Sequence, residues 1–253
     1  MIPIADDNSD RSRTPFVNYL LLILNIIVFL YFQGMGSNLY FTMGFSTVPA
    51  EILSGRDIVT AEQHLKDMIT GQQYVLPGLQ VSPSPVWLTL ITSMFMHGGW
   101  AHLLGNMLYL WIFGDNLENR LGHVRYLLFY LLTGIIASLA HVFSTFIVGQ
   151  DMLAPSLGAS GAISGVLGGY ISLFPRRQVT VLVFWFFLNV PAIVVLGLWI
   201  LLQIVSGFGA LGEAAAGGGI AYAAHIGGFF AGLLLIRAFA PALKPEIQRR
   251  RNY

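Results

Sequence analysis

Two residues of this chain combine a nucleophile and a base within segments that are otherwise apolar. Ser160 lies in the glycine-rich turn Gly158-Ala159-Ser160-Gly161 at the start of one apolar segment, and His225 lies inside another. A serine hydroxyl is a poor nucleophile alone and needs an adjacent base, for which an imidazole is suited. Polar groups at membrane depth are costly and usually functional. The pair therefore predicts nucleophilic catalysis within a lipid bilayer.

Each of the two residues also has a structural explanation. Small residues are enriched where transmembrane helices pack closely, and a histidine can bridge helices by hydrogen bonding. Two stripes at helical spacing follow these residues, the first with Gly161, Gly165 and Gly168, the second with His225, Gly228 and Gly232. Packing of the two stripes is expected to bring Ser160 close to His225.

The composition is that of a polytopic membrane protein. Of the 253 residues, 55% are hydrophobic and 10% are charged, and the mean hydropathy is +0.69. The formal net charge of +1 gives no support for a nucleic-acid partner. The chain has no cysteine, which excludes disulfides, thiolate metal sites and a cysteine nucleophile. No cofactor motif is visible in the sequence.

Six apolar runs predict an all-α bundle of six transmembrane helices. The runs cover residues 16–33, 99–114, 126–148, 158–174, 179–205 and 217–240. The first run follows Asp6, Asp7 and Asp10 and precedes no small-residue cleavage site, which favours a retained helix over a signal peptide. The second and fourth runs are shorter than the roughly 20 residues that a span requires. Because these two contain His102, Asn106 and Ser160, a water-filled cavity is expected beside them.

The positions of lysine and arginine predict the orientation. They lie mainly near alternate ends of the runs, at Arg11 and Arg13, Arg120 and Arg125, Arg176 and Arg177, and from 237 to 251. The positive-inside rule then places the leader 1–15 and the basic tail 241–253 in the cytoplasm, and the long segment 34–86 outside. We expect that segment to contain a partly embedded amphipathic hairpin, and Ser160 to open toward the outer face.

The second run provides candidate donors for an oxyanion. His102 and Asn106 lie one turn apart on one helical face. Acyl transfer passes through a tetrahedral intermediate whose negative oxygen needs preorganised donors, and the backbone amide of Ser160 is a third candidate. Asn106 can equally be a bridge between helices, and His97 can be an ordinary interfacial histidine.

Several of these motifs resemble those of the bacterial rhomboids, a family of intramembrane serine proteases, over roughly residues 2–240. The Ser160 turn is similar to the family's nucleophile motif, and Ala224-His225-Ile226-Gly227-Gly228 to its catalytic-histidine motif. His102-Leu103-Leu104-Gly105-Asn106 resembles the oxyanion motif, with His97 at the position of a nearby family histidine. Residues 114–122 resemble the turn after the second helix, in which Glu118 and Arg120 are expected to be structural.

The resemblance implies a single domain over residues 1–253, with a six-helix core and a long external first loop. It implies a Ser160–His225 dyad without a catalytic aspartate, an oxyanion site formed by His102 and Asn106, and His97, Ser164 and Gly158 lining the site. The implied reaction is hydrolysis of peptide bonds in or near transmembrane segments of membrane-protein substrates. The implied setting is a bacterial plasma membrane, with no cofactor and no metal; the oligomeric state stays open.

The chain departs from the family pattern at two positions. Leu88 follows Trp87 where the family often has Trp-Arg, and Ser164 occupies the position of an aromatic residue that often stacks on the catalytic histidine. These departures concern loop anchoring and imidazole positioning. Ser164 is an alternative hydrogen-bonding group near His225.

Other function classes have less support from the residues. A catalytically inactive rhomboid-like protein that binds transmembrane helices is the main alternative. A zinc protease of the bilayer would need His-Glu-x-x-His, which is absent, and an aspartyl protease would need two intramembrane aspartates. A metal site from His97, His102 and His225 lacks a carboxylate or thiolate partner. A channel or transporter would show a repeat or a charged pathway, and neither is visible.

Overall fold

The computed structural model describes residues 1–66, 71, 73–212 and 221–240, and these ranges form a mostly helical protein. The helices are α1 (Phe16–Ile27, extended by a π-helical turn to Phe32), α2 (Leu39–Phe45), α3 (Pro49–Ser54), α4 (Thr89–Thr92), α5 (Trp100–Leu121), α6 (His123–Val148), α7 (Ser160–Leu173), α8 (Ala192–Gly212) and α9 (Tyr222–Phe239). The strands are β1 (Ile2–Asp6), β2 (Gln63–Lys66), β3 (Gln73–Leu76), β4 (Gln178–Val183) and β5 (Phe186–Pro191).

Helix α7 lies at the centre of the bundle. Residues 161–170 of this helix are all buried, and its neighbours are α5, α6 and α9. Glycines bring α7 and α9 into backbone contact. A Cβ atom on Gly228 would lie 2.2 Å from the Gly161 carbonyl oxygen, and one on Gly232 would lie 1.9 Å from that of Gly165. The predicted packing of the two small-residue stripes is therefore confirmed.

The first stripe packs against two helices rather than one. A Cβ atom on Gly168 would lie 2.0 Å from the carbonyl oxygen of Phe229 in α9. The Cβ directions of Gly161 and Gly165 instead meet Ala137 and Thr133 of α6, at 2.8 and 2.3 Å. Larger side chains at those two positions would thus displace α6 first.

Within the described ranges, three helical segments are long and apolar enough to cross a membrane, at His123–Val148, Ala192–Gly209 and Tyr222–Phe239. Shorter apolar helices cover Phe16–Phe32, Val86–Phe95 and Ser160–Leu173. The fourth predicted span is short, as expected, with 14 residues in α7. The second is longer than expected, because α5 has 22 residues and continues through the charged sequence up to Leu121, where a turn was expected.

The predicted fifth span is wrong in its first half. Residues 178–191 form the hairpin of β4 and β5, which joins β1 in an antiparallel sheet of order β1-β4-β5. Alternating β-branched residues favour strands here, and Val179 and Val181 bury one face of β4 against the bundle. The all-α prediction missed this sheet, and the leader 1–15 contributes its edge strand. Trp185 at the hairpin tip is 90% exposed.

The predicted external segment contains short elements. Helices α2 and α3 and the β2–β3 hairpin lie within it, while Met68 and Ile69 fall outside the described residues, as does the tail 241–253. Despite the Leu88 departure, the loop is anchored, since the Trp87 indole donates a hydrogen bond to the Ile52 carbonyl at 3.2 Å. The buried carboxylate of Glu51 accepts hydrogen bonds from the Ile58 amide and the Ser82 hydroxyl, at 3.0 and 3.1 Å.

A polar cluster joins the leader to the ends of α5 and α7. The Tyr170 hydroxyl and the Asn116 side-chain amide donate hydrogen bonds to Asp6, at 2.5 and 2.7 Å. Arg177 donates to Asp10 and to Asn116, both at 2.5 Å. These bonds hold the sheet against the helix that begins at Ser160.

Glu118 has the structural role that was expected of it. Its carboxylate is fully buried and accepts hydrogen bonds from the backbone amides of Val17 and Asn18, at 2.9 and 2.7 Å. These are unpaired donors of the first turn of α1, so Glu118 caps that helix from α5.

The titration of Asp6 is expected to lower the stability of the folded protein as the pH rises. Burial raises the pKa of Asp6 from 3.8 to about 7, against the lowering effect of the hydrogen bonds from Tyr170 and Asn116. The folded protein therefore holds this proton more tightly than the unfolded chain, and the free energy of unfolding should decrease as pH rises from about 4 to about 7. Asp6→Asn should make this decrease shallower in thermal unfolding of the detergent-solubilised protein. Equal slopes for both proteins would contradict the assignment.

Candidate active site

Ser160 is positioned by the loop that precedes α7. Thr47 and Ser156 pair through two backbone hydrogen bonds of 2.9 and 2.8 Å, and the Gly158 amide donates to the Ser93 carbonyl at 2.9 Å. Gly158 has φ of +127°, a conformation that favours glycine. The turn therefore ends in a fixed geometry, with Ser160 as the first residue of the helix.

The structure brings Ser160 and His225 into direct contact. The distance between His225 Nε2 and Ser160 Oγ is 2.7 Å, although the two residues are 65 positions apart in the chain. The contact follows from the glycine-mediated approach of α7 and α9. It has the geometry of a hydroxyl activated by a base, which requires a separation of about 2.6–3.2 Å.

His102 lies on the other side of the turn, next to Gly158. A Cβ atom on Gly158 would lie 2.7 Å from His102 Nε2 and 3.7 Å from Ser160 Oγ, so both groups border the same small space. The Gly98 amide donates to His102 Nδ1 at 3.3 Å. A neutral imidazole that accepts at Nδ1 has its proton on Nε2. His102 can therefore donate a hydrogen bond into the space beside Ser160.

Asn106 follows His102 by one turn of α5 and is buried. Its Nδ2 atom has no hydrogen-bond partner among the described residues. A buried amide without a partner costs free energy in the resting protein and remains available to a ligand. This property fits a donor kept for an oxyanion better than a bridge between helices.

His97 and Ser164 contact residues of the site, His102 and Ser160 respectively. His97 is fully buried, packs edge-on against His102 with ring centroids 5.1 Å apart, and has its backbone held on both sides by the Gln33 side chain. The Ser164 hydroxyl donates to the Ser160 carbonyl at 2.6 Å. The Ser164 hydroxyl thus bonds within its own helix, and not near His225 as the alternative expectation had it.

A small cavity opens beside Ser160. Its volume is about 20 Å³, which is enough for one water molecule, and Ser160, Gly158, Ser138 and Ser156 are among its lining residues. The hydroxyls and backbone groups of this lining are suitable partners for water. The arrangement can therefore admit a small polar reactant to Ser160 within an otherwise apolar bundle.

Sequence reasoning missed one polar contact of His225. Gln203 in α8 lies with its Oε1 atom 2.7 Å from His225 Nδ1, and the Trp199 ring lies 6.0 Å from the imidazole. The available signal was the only side-chain amide between positions 192 and 212, in an uncharged apolar stretch. No sequence motif connects position 203 to position 225, so the sequence alone does not pair Gln203 with His225.

Comparisons with known proteins identify the family of the chain. Residues 84–242 match the family model described as "Rhomboid domain". The chain is 35% identical over 179 residues to "Rhomboid protein 1, mitochondrial" of Saccharomyces cerevisiae, an alignment covering 71% of this chain and 49% of that protein. It is 43% identical over 95 residues to "Rhomboid protease GluP" of Bacillus subtilis, covering 36% and 17%. It is 32% identical over 157 residues to "RHOMBOID-like protein 4" of Arabidopsis thaliana, covering 62% and 34%.

The alignments span about half or less of the length of these relatives, so they bear on the shared membrane domain. The matched region contains the turn before Ser160 and helices α5, α6, α7, α8 and α9. Together with three apolar helices of membrane-spanning length, the match identifies an integral membrane protein. This chain belongs to the rhomboid family.

Proposed function

We propose that this protein is an intramembrane serine endopeptidase that hydrolyses peptide bonds in or near transmembrane segments of other membrane proteins. The single observation that carries the proposal is the 2.7 Å contact between Ser160 Oγ and His225 Nε2. Membership of a family that includes a protein named as a rhomboid protease supports the same activity.

In the proposed acylation step, Ser160 Oγ attacks the carbonyl carbon of the scissile bond while His225 Nε2 takes the hydroxyl proton. The carbonyl oxygen becomes an oxyanion that accepts hydrogen bonds from His102, Asn106 and the Ser160 amide. The C–N bond then breaks, and the imidazolium returns the proton to the leaving amine. The product is an acyl-enzyme on Ser160 and a free amino terminus.

In the proposed deacylation step, water enters through the cavity beside Ser160. His225 removes a proton from this water as its oxygen attacks the acyl carbon, and the C–O bond to Ser160 breaks as that proton returns to Oγ. The second product is a carboxylic acid, and the free enzyme is restored. The cavity of about 20 Å³ supports access by a single water.

The proposed topology has six spans in one domain over residues 1–253. The six are α1 with its π-helical turn, α5, α6, α7, α8 and α9, with the segment 34–86 outside and both termini in the cytoplasm. The start of α7 then faces outward, so the catalytic site opens to the outer face of a bacterial plasma membrane. The charge pattern around the helix ends supports this orientation.

The activity can be tested in proteoliposomes with a single-span substrate and mass determination of the products. We expect two fragments whose masses locate one cleaved peptide bond in or beside the substrate's transmembrane segment. An intact substrate that nevertheless binds the protein would favour the alternative, a helix-binding rhomboid-like protein without catalytic activity.

Removal of the Asn106 amide is expected to slow turnover without abolishing it. Loss of one oxyanion donor typically costs ~10²–10³ in kcat, because the remaining donors still stabilise the negative oxygen. Asn106→Ala should therefore show this decrease with a nearly unchanged KM. Exposed Leu104 on the same helix provides the control Leu104→Ala, which should retain the wild-type rate. Full activity of Asn106→Ala would remove this residue from the oxyanion site.

A further inference from the structure

We infer that Gln203 is a positioning residue for the catalytic base, holding the His225 imidazole in the tautomer that can accept the Ser160 proton. The inference rests on the proposed Ser160–His225 dyad. It is carried by two distances on one imidazole: 2.7 Å from Nδ1 to Gln203 Oε1, and 2.7 Å from Nε2 to Ser160 Oγ.

The contact of Nδ1 with Gln203 affects the contact of Nε2 with Ser160, because the two ring nitrogens share one proton. A neutral histidine has one protonated and one unprotonated ring nitrogen. Nε2 must be unprotonated to take a proton from Ser160, so Nδ1 must then be protonated and needs an acceptor. The Gln203 carbonyl oxygen is an acceptor only, and it therefore favours the tautomer in which Nε2 is the base.

The environment of Gln203 gives the amide no simpler explanation. Among the side chains of 192–209, only Gln203 and Ser206 carry hydrogen-bonding oxygens, and the neighbouring Leu201 and Leu202 are exposed on the outside of the bundle. An amide on such a helix costs free energy unless it is hydrogen-bonded. Its partner is His225, and Trp199 one turn earlier on α8 places its ring beside the same imidazole.

The choice of an amide rather than a carboxylate follows from the membrane setting. In soluble serine proteases an aspartate holds the histidine tautomer and stabilises the imidazolium. A buried carboxylate at membrane depth carries a much larger desolvation cost than a neutral amide. Gln203 can therefore select the tautomer at the lower cost in desolvation.

The test compares acceptor-retaining and acceptor-lacking variants in proteoliposomes. Gln203→Met removes the acceptor at similar length, Gln203→Glu retains it, and Ser206→Ala is a matched polar-to-apolar control one turn away on α8. The readouts are kcat and KM for a single-span substrate, and the rate at which a fluorophosphonate probe labels the protein. The labelling rate measures Ser160 reactivity without any contribution from substrate binding.

We expect Gln203→Met to lose at least ~10-fold in kcat and in labelling rate, with little change in KM. The loss in kcat should be smaller than the ~10⁴-fold loss that a wrong histidine tautomer causes in a soluble serine protease. Gln203→Glu should regain most of the rate, and Ser206→Ala should equal the wild type. A purely structural contact would not give this rescue.

Two results would overturn the inference: wild-type kcat and labelling in Gln203→Met, or equal losses in Gln203→Met and Gln203→Glu. Both are distinct from failure of the proposed function, in which the wild-type protein itself would show neither cleavage nor labelling.

Discussion

Ser160→Ala is expected to abolish peptide-bond hydrolysis while leaving the helical bundle intact. The substitution removes only the hydroxyl group, whose Oγ contacts the His225 imidazole rather than the hydrophobic core. Serine proteases that lose the nucleophile or the base lose about 10⁴-fold or more in kcat. Cleavage of a single-span substrate in proteoliposomes should therefore fall to background, with an unchanged thermal unfolding midpoint.

The matching base variant, His225→Ala, should lose cleavage to a similar extent, because the hydroxyl and the imidazole act as one unit. The losses in rate caused by such residues do not add. The double variant should then be no worse than either single variant. Activity retained in Ser160→Ala would refute the assignment of the nucleophile. Loss of activity together with a lowered unfolding midpoint would instead indicate a damaged fold. Ser172→Ala, near the other end of α7, is the control and should keep both the wild-type rate and the wild-type midpoint.

Gly232→Val is expected to destabilise the bundle and to separate Ser160 from His225. Even a Cβ atom at position 232 would lie 1.9 Å from the Gly165 carbonyl oxygen, so α9 must move away from α7. Overpacking of a dense interior typically costs about 1–3 kcal/mol, and this contact involves rigid backbone, so we expect at least the upper value. Cleavage should decrease as well, because the same packing holds His225 against Ser160.

Gly197→Ala in α8 is the control for this variant, because a Cβ atom there meets nothing within 4 Å. Its effect on stability should stay within about 1 kcal/mol. The measurement is thermal or denaturant unfolding of both proteins in the same detergent. Equal stability of Gly232→Val and the wild type would contradict the close packing of α7 and α9.

The spacing of small residues along single helices correctly predicted which two helices of the candidate site lie in contact. The stripes around Gly161 and Gly228 correctly indicated which helices approach, because small residues at three- and four-residue spacing have few other uses in a membrane. The pairing of Gln203 with His225 was out of reach, because it depends on how α8 is placed against α9. No local pattern contains that placement.

The fold was harder to predict where apolar sequence serves two kinds of structure. The run 179–205 has the hydropathy of a span, yet its first half is the β4–β5 hairpin. Hydropathy reports burial or lipid contact and does not separate a short buried strand from a helix. The β-branched alternation at Val179, Val181 and Val183 was the discriminating signal, together with Pro191 just before α8.

The Ser160–His225 pair is tested most directly by the mass of the covalent adduct that the protein forms with a fluorophosphonate. We expect one adduct per chain, located on Ser160 by peptide mapping and absent from His225→Ala at the same exposure time. An adduct on a different residue of an active preparation would contradict the Ser160–His225 dyad. So would efficient cleavage by a protein that the probe leaves unmodified and uninhibited.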